Sequence, residues 1–385
     1  MDGPVLEPLH PVWHSEPFRG DGWVGMGLCK LHINGDQFFP EIFTCLRNAR
    51  HRIWIEIYLV ESGQLLHQMI DHLLYAAAQG IDVRLCFDSL GSLGFKVPDR
   101  KRLLHGGVRL AEYNPWSWMR PFKGLLRDHR KMIIVDEDWV FVGGAGFADD
   151  FAPELHHMHW RETMLQLSGP IVQEWSKLFL RTWPVAGQQP LSDNLSATYP
   201  SARVVASEVL HPLQVSRSLL TEMRHAQQRI WIATPYFLPP RRLRKGLKKA
   251  ARRGVDVRLL IPGPHQDHPW LRLFSRSFYK GLIDHQVAIY EYQPRFIHMK
   301  VILCDQWVSI GSSNLDQWGM FWNQEANQEV RDATLALQVQ QMLEQDFAAA
   351  KRIIKPENYT GIRLVGMILQ RIIQIMEQRR NRINR

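Results

Sequence analysis

With 385 residues, 45% of them hydrophobic and 22% charged, the chain is longer than one compact core usually takes and is not disordered in bulk. Two domains or two fused halves are expected. The formal net charge of +9 favours an anionic partner, whether nucleic acid, acidic lipid headgroups or phosphate. Cys29, Cys45, Cys86 and Cys304 show no paired spacing and read as buried thiols in a reducing compartment rather than as a disulfide frame or zinc site.

The N-terminal MDGPVLEPLHPVWHSE has neither the basic start nor the apolar core of a signal peptide. No apolar run approaches the roughly 18 residues of a spanning helix. The first predicted strand is RIWIEIYL at 52–59, a β-branched and aromatic run suited to burial. A helix-like segment follows and closes in AAAQGIDVRLCF at 76–87, where Gly80 supplies a left-handed helix end and the apolar run is a second strand. EYNP stands at 112–115. Next comes a stretch with Trp116, Trp118, Met119, Arg120, Phe122 and Lys123, which reads as a lid, a membrane-dipping loop or ordinary packing. HRKMIIVD at 129–136 and Gly143-Gly144 come after it. His156, His157 and His159 lack a strong ligand spacing and have no cysteine nearby, so a polar loop is expected there rather than a metal site. A Pro, Gly, Ser and Asn-rich linker covers 184–202.

The same phrases then return in the same order: RIWIATPYFL at 229–238, AARRGVDVRLLI at 250–261 with Gly254, EYQP at 291–294, HMKVILCD at 298–305 and Gly311-Ser312-Ser313-Asn314. Strand–helix–strand alternation predicts an α/β fold: two similar sheet halves flanked by helices, related by a pseudo-twofold axis, with the site between them. The expected division is a first repeat over 1–183, the linker 184–202, a second repeat over 203–355 and a tail over 356–385. Within the tail, GIRLVGMILQRIIQIM at 361–376 has helical apolar spacing, and Arg371, Arg379 and Arg380 are among its basic residues. It reads as a basic amphipathic helix in an anionic lipid surface, or as a helix docked on the core.

The repeated H-x-K-x4-D segments carry the chemistry. His129 and Lys131, like His298 and Lys300, are two residues apart on a strand and so face the same way. Two imidazoles and two ammonium groups in one cleft suit phosphodiester chemistry. One histidine attacks phosphorus and the other protonates the leaving alkoxide, then deprotonates the acceptor. The lysines neutralise the phosphoryl oxygens. No metal or other cofactor is expected. The small residues after each motif would let the backbone approach a phosphate, with Ser312 and Asn314 as further phosphate-binding residues.

The pattern H-x-K-x4-D-x6-G-[GS]-x-N, present twice, resembles the signature of the phospholipase D superfamily. RDHRKMIIVD, VFVGGAGFAD, WRETMLQLSGP, TPYFLPP and GSSNLD are most similar to bacterial cardiolipin synthases. The resemblance spans roughly residues 30–350 and implies His129, Lys131, His298 and Lys300 as the core of the site. It adds Asp136 and Asp305 from the motifs, more as support than as substrate contacts. It also implies that Glu162 reaches His298 and Glu325 reaches His129, each fixing a tautomer. Two departures stand out: Gly146 replaces the first motif's asparagine, and five residues rather than six separate Asp305 from Gly311.

What the resemblance implies is a phosphatidyltransferase working through a phosphohistidine, moving a phosphatidyl group between phospholipids. Phosphatidylglycerol, alone or with another phospholipid, is the expected partner, together with the membrane surface. Nucleic acid is not expected. A phosphodiesterase or nuclease of the same fold, or an inactive lipid-binding scaffold, are the alternatives. The expected location is peripheral, on the cytoplasmic side of the cell membrane, with Trp116, Trp118, Phe122, Arg371, Arg379 and Arg380 in contact with it.

Overall fold

The computed structural model describes residues 6–18, 20, 22–116, 123–184, 201–316 and 322–355. Most of the expected linker and the whole expected tail lie outside these residues, as do Trp118, Phe122, Arg371, Arg379 and Arg380.

Each repeat builds a sheet in the same strand order. In the first sheet the order is Arg109–Tyr113, Asp82–Asp88, Arg52–Ile57, Lys131–Val135, Trp139–Gly143, Thr163–Leu167 and Cys29–Ile33. In the second it is Ala288–Tyr292, Asp256–Pro262, Arg229–Ala233, Val301–Cys304, Trp307–Gly311, Asn323–Arg331 and Ser201–Ser207. In both, three parallel strands meet an antiparallel set at the strand that follows the H-x-K histidine. Glu7–Leu9 extends the first sheet, while Val24–Gly25 and Ala350–Ile353 extend the second.

The strands look continuously apolar because both faces are covered. Trp54, Ile134, Trp231, Val301 and Leu303 point into a central core shared by the two sheets. Ile53, Ile55 and Ile57 point the other way, onto the helix Gln64–Ala78 through Leu66, Met69 and Leu73. Ile230 and Ile232 meet Leu243 and Leu247 of the helix Arg241–Arg252 in the same manner. Gly80 and Gly254 adopt φ of 81° and 90°, the left-handed helix ends that the sequence implied.

Two helices lie against the shared core. Ile171–Thr182 ends the first repeat and contributes Trp175 and Phe179; Ala333–Ala348 ends the second and contributes Val339 and Phe347. Trp175 Nε1 donates across the seam to Gln328 Oε1 at 2.7 Å. Arg161 of the first repeat forms a buried pair with Asp346 of the second, at 2.9 Å. The halves thus share a buried surface stitched by polar contacts.

Candidate active site

The histidines lie at the seam, each held by the opposite half. His129 N donates to the carbonyl of Gln324 and His298 N donates to that of Arg161, both at 2.9 Å. The next residue in each case is the glutamate that meets the ring. His129 Nδ1 lies 3.1 Å from Glu325 Oε2 and 3.1 Å from the Ser312 carbonyl. His298 Nδ1 lies 2.6 Å from Glu162 Oε2. Oxygen acceptors surround Nδ1 of His129, so its proton sits there and leaves Nε2 with a lone pair. The crosswise pairing expected from the sequence is present in the geometry.

Each lysine is folded back onto its own turn: Lys131 Nζ donates to the His129 carbonyl and Lys300 Nζ to the His298 carbonyl, both at 2.7 Å. Lys300 Nζ also lies 2.9 Å from His298 Nε2. His129 directs no hydrogen bond from Nε2 to a described residue. The lysines, histidines and glutamates are all buried. Burial, and then the Lys300 charge, push Lys131 down to about 7. Burial pushes Lys300 down to about 8, with Glu162 and Glu325 opposing. Glu162 is pushed up to about 7 by burial. Burial first, and then the lysines, hold both histidines below their ordinary range, so they rest neutral.

Of the residues after each motif, Gly144 and Ser312 face the glutamates rather than open space for a phosphate. A Cβ on Gly144 would stand 2.3 Å from the Glu162 carboxylate. Its smallness therefore makes room for the glutamate rather than for a phosphate. Ser312 holds the matching place, and its hydroxyl donates to Glu325. The proton offered to a phosphate is thus committed to the carboxylate that orients His129. Asn314 is buried, with its side-chain oxygen unpartnered among the described residues. At Gly146 a Cβ would lie 2.7 Å from the Leu59 carbonyl oxygen, so the first half has no room for the motif asparagine.

Asp136 and Asp305 lie in structural positions rather than in the cleft. They stand beyond the far ends of strands Lys131–Val135 and Val301–Cys304, away from the histidines. Asp136 accepts the backbone N–H groups of Arg50, His51 and Arg52 at 2.8–2.9 Å; Asp305 accepts those of Gln227, Gln228 and Arg229 at 2.8–2.9 Å. Both have positive φ, 56° and 51°. The spacing departure is a hairpin effect. Val135 pairs with Trp139 across three residues, but Cys304 pairs with Trp307 across two.

Sequence reasoning missed the aromatic walls. The Tyr58 ring lies 4.6 Å from that of His129, and Lys131 Nζ is 5.1 Å from the Tyr58 centroid. Around His298 stand Trp160, Phe151 and Phe296, at 4.9, 5.6 and 5.7 Å. Trp160 begins the WRET phrase, so its nearness to Glu162 was the available signal. His156 and His157 stack on each other at 5.6 Å. Among the described residues no group of three or more His, Cys, Asp or Glu side chains is placed to hold a metal ion. Trp116 is described and 55% exposed.

Paired repeats with two histidines, each completed by the other repeat's glutamate, define a phospholipase D-like site. A family model described as cardiolipin synthase, PLD-like domain, matches residues 42–183 and 219–347. Cardiolipin synthase A of Pseudomonas entomophila (strain L48) is 33% identical over 354 residues, 89% of this chain and 74% of that protein. A probable cardiolipin synthase of Bacillus subtilis (strain 168) is 31% identical over 84% of this chain and 67% of its own length. A phosphatidylserine synthase from Haemophilus influenzae Rd KW20 shares the fold, with a TM-score of 0.70 over 93% of this chain and 96% of that one, at 13% identity. The chain belongs to the phospholipase D-like family of cardiolipin synthases and is a phosphatidyltransferase of that superfamily.

Proposed function

We propose that the protein transfers a phosphatidyl group from one phospholipid to the glycerol end of phosphatidylglycerol through a phosphohistidine, forming a cardiolipin-type product. The observation that carries this reading is the crosswise site: His129 on Glu325 and His298 on Glu162, with a lysine on the backbone carbonyl of each histidine. His129 is assigned the attack, because its Nε2 makes no hydrogen bond to a described residue while Lys300 sits on that of His298. Nε2 bonds to phosphorus as the bond from phosphorus to the headgroup oxygen breaks. His298 hands that oxygen a proton. The entering phosphodiester anion raises the affinity of His298 for the proton it must carry. In the second half-reaction neutral His298 takes a proton from the acceptor hydroxyl, whose oxygen displaces His129.

Lys131, Lys300 and Asn314 hold the phosphoryl oxygens in this reading, and Ser312 serves by orienting Glu325. Phosphatidylglycerol as donor, the peripheral site on the cytoplasmic face, contact through Trp116 and the basic tail, and the division into repeats 1–183 and 203–355 belong to the same proposal. Among the described residues no helix is long and apolar enough to cross a membrane.

The test is product analysis by mass spectrometry after incubating the purified protein with phosphatidylglycerol alone. Cardiolipin and free glycerol are expected. His129→Ala and His298→Ala should each lower turnover by about two to four orders of magnitude. Phosphatidic acid as the only product would make the protein a hydrolase, and wild-type rates in either folded variant would refute the paired-histidine chemistry.

A further inference from the structure

The walls of the cleft continue outward into two apolar projections, one from each repeat. His129 stands at the N-terminal end of Lys131–Val135, where Lys131 pairs with Ile57 at the C-terminal end of Arg52–Ile57. The parallel neighbour Asp82–Asp88 ends on the same side. The loop leaving it is tied to the site: Arg127 donates to Ser89 Oγ at 2.8 Å, and Ser92 Oγ donates to the carbonyl of Tyr58, whose ring lies on His129, at 3.0 Å. From this fixed base the loop exposes Leu90, Leu93 and Val97 by 49%, 77% and 60%.

The second repeat does the same at the equivalent exit. Strand Asp256–Pro262 leads to the short helix Pro269–Arg276, which exposes Trp270 by 53% and Leu273 by 43%. Arg272 and Arg276 anchor that helix to buried Glu291 at 2.8 and 2.9 Å. A run of ring neighbours, Trp270, His268, Tyr236, Phe296 and His298, connects it to the catalytic histidine at centroid distances of 5.7–6.5 Å. The two projections are therefore related by the pseudo-twofold and flank the cleft. Their bases are pinned by polar contacts and their apolar tips are left in water.

Charge says what covers them. The helix Arg241–Arg252 starts at the same end of the second sheet, carries seven basic residues and no acidic one, and exposes Arg241, Arg242 and Lys245 in its first turns. Its counterpart Gln64–Ala78 in the first repeat has no lysine or arginine. Apolar tips beside exposed cations complement an anionic bilayer, where tryptophan and leucine enter the boundary below the headgroups and cations pair with lipid phosphates. A second copy of this chain, itself at +9, offers the opposite of that complementarity.

We propose that the loop Leu90–Val97 and the helix Pro269–Arg276 are a pair of membrane-seated prongs that place the cleft on an anionic bilayer, so that a lipid headgroup enters between them. This rests on the lipid reading of the site and adds the surface that delivers the substrate. The test compares the full chain with the double variant Leu93→Glu, Trp270→Glu. It uses sedimentation with vesicles of equal parts phosphatidylglycerol and phosphatidylcholine, and turnover of short-chain monomeric phosphatidylglycerol. The expected result is vesicle binding weakened at least about tenfold, a change of ~1.4 kcal/mol, with turnover of the monomeric lipid unchanged within about twofold. Tyr75→Glu, at an exposed position near the other end of Gln64–Ala78, should leave both unchanged.

Undiminished vesicle binding by the double variant would overturn the proposal, including the case where it only shifts self-association in light scattering. If the double variant does not fold, Leu93→Trp decides: tighter vesicle binding supports the prongs and unchanged binding refutes them. Absence of lipid transfer by the wild-type protein would sink the catalytic reading while leaving the sedimentation result to stand by itself.

Discussion

At the residue scale, the site balances two buried ammonium groups against two carboxylates around neutral imidazoles. Its pH dependence follows from that balance. The lysines, pushed down to about 7 and about 8, are charged below those values and neutral above them. A phosphodiester anion needs them charged, so kcat/KM, which reports the free enzyme, should fall as pH rises through about 7 to 8. Both histidines are held below the ordinary 6.5, so attack by a neutral ring persists below that pH. A kcat/KM profile measured on monomeric short-chain lipid checks this. A profile flat up to about pH 9 would mean that the lysines do not supply the charge that binds phosphate. The histidines and lysines were legible in the sequence because the same spacing occurs twice; the glutamates, 33 residues after one histidine and 27 after the other, were implied only by the family resemblance. Tyr58, Phe151 and Phe296 were not, because a buried aromatic beside a strand looks alike whether it lines a core or a catalytic ring.

At the scale of elements, the two motif aspartates show where a motif and a mechanism part company. Asp136 and Asp305 each gather three backbone N–H groups at the entry to strands Arg52–Ile57 and Arg229–Ala233. A carboxylate that accepts several N–H groups stabilises a turn that would otherwise leave donors unpaired. Asp136→Ala should therefore lower stability by on the order of 3 kcal/mol, seen as a lower urea midpoint, while the folded fraction keeps turnover within a few-fold. Loss of turnover by orders of magnitude in well-folded Asp136→Ala would instead give this residue a part in catalysis. The strand–helix–strand order and the left-handed glycines at 80 and 254 could be read from apolar periodicity and punctuation. The shorter hairpin after Cys304 could not. A missing residue looks like a damaged motif until the strand register shows the turn absorbing it.

At the scale of the whole molecule, neither repeat holds a finished site. Each histidine takes its backbone acceptor and its ring carboxylate from the other repeat. The shared core around Trp54, Trp175, Trp231 and Phe347 fixes that relation. The duplication made the pseudo-twofold legible. The crossing of Val24–Gly25 into the second sheet was not legible, because a two-residue strand carries no periodic signal. In the proposed reaction a phosphoryl group rests on one of the two seam histidines. Rapid-quench of the intact protein mixed with phosphatidylglycerol labelled at phosphorus, followed by peptide mapping, tests this most directly. The expected result is an acid-labile, alkali-stable label on His129, formed before cardiolipin appears and lost as it accumulates. Cardiolipin forming within a single turnover, with no label on any histidine, would contradict the account.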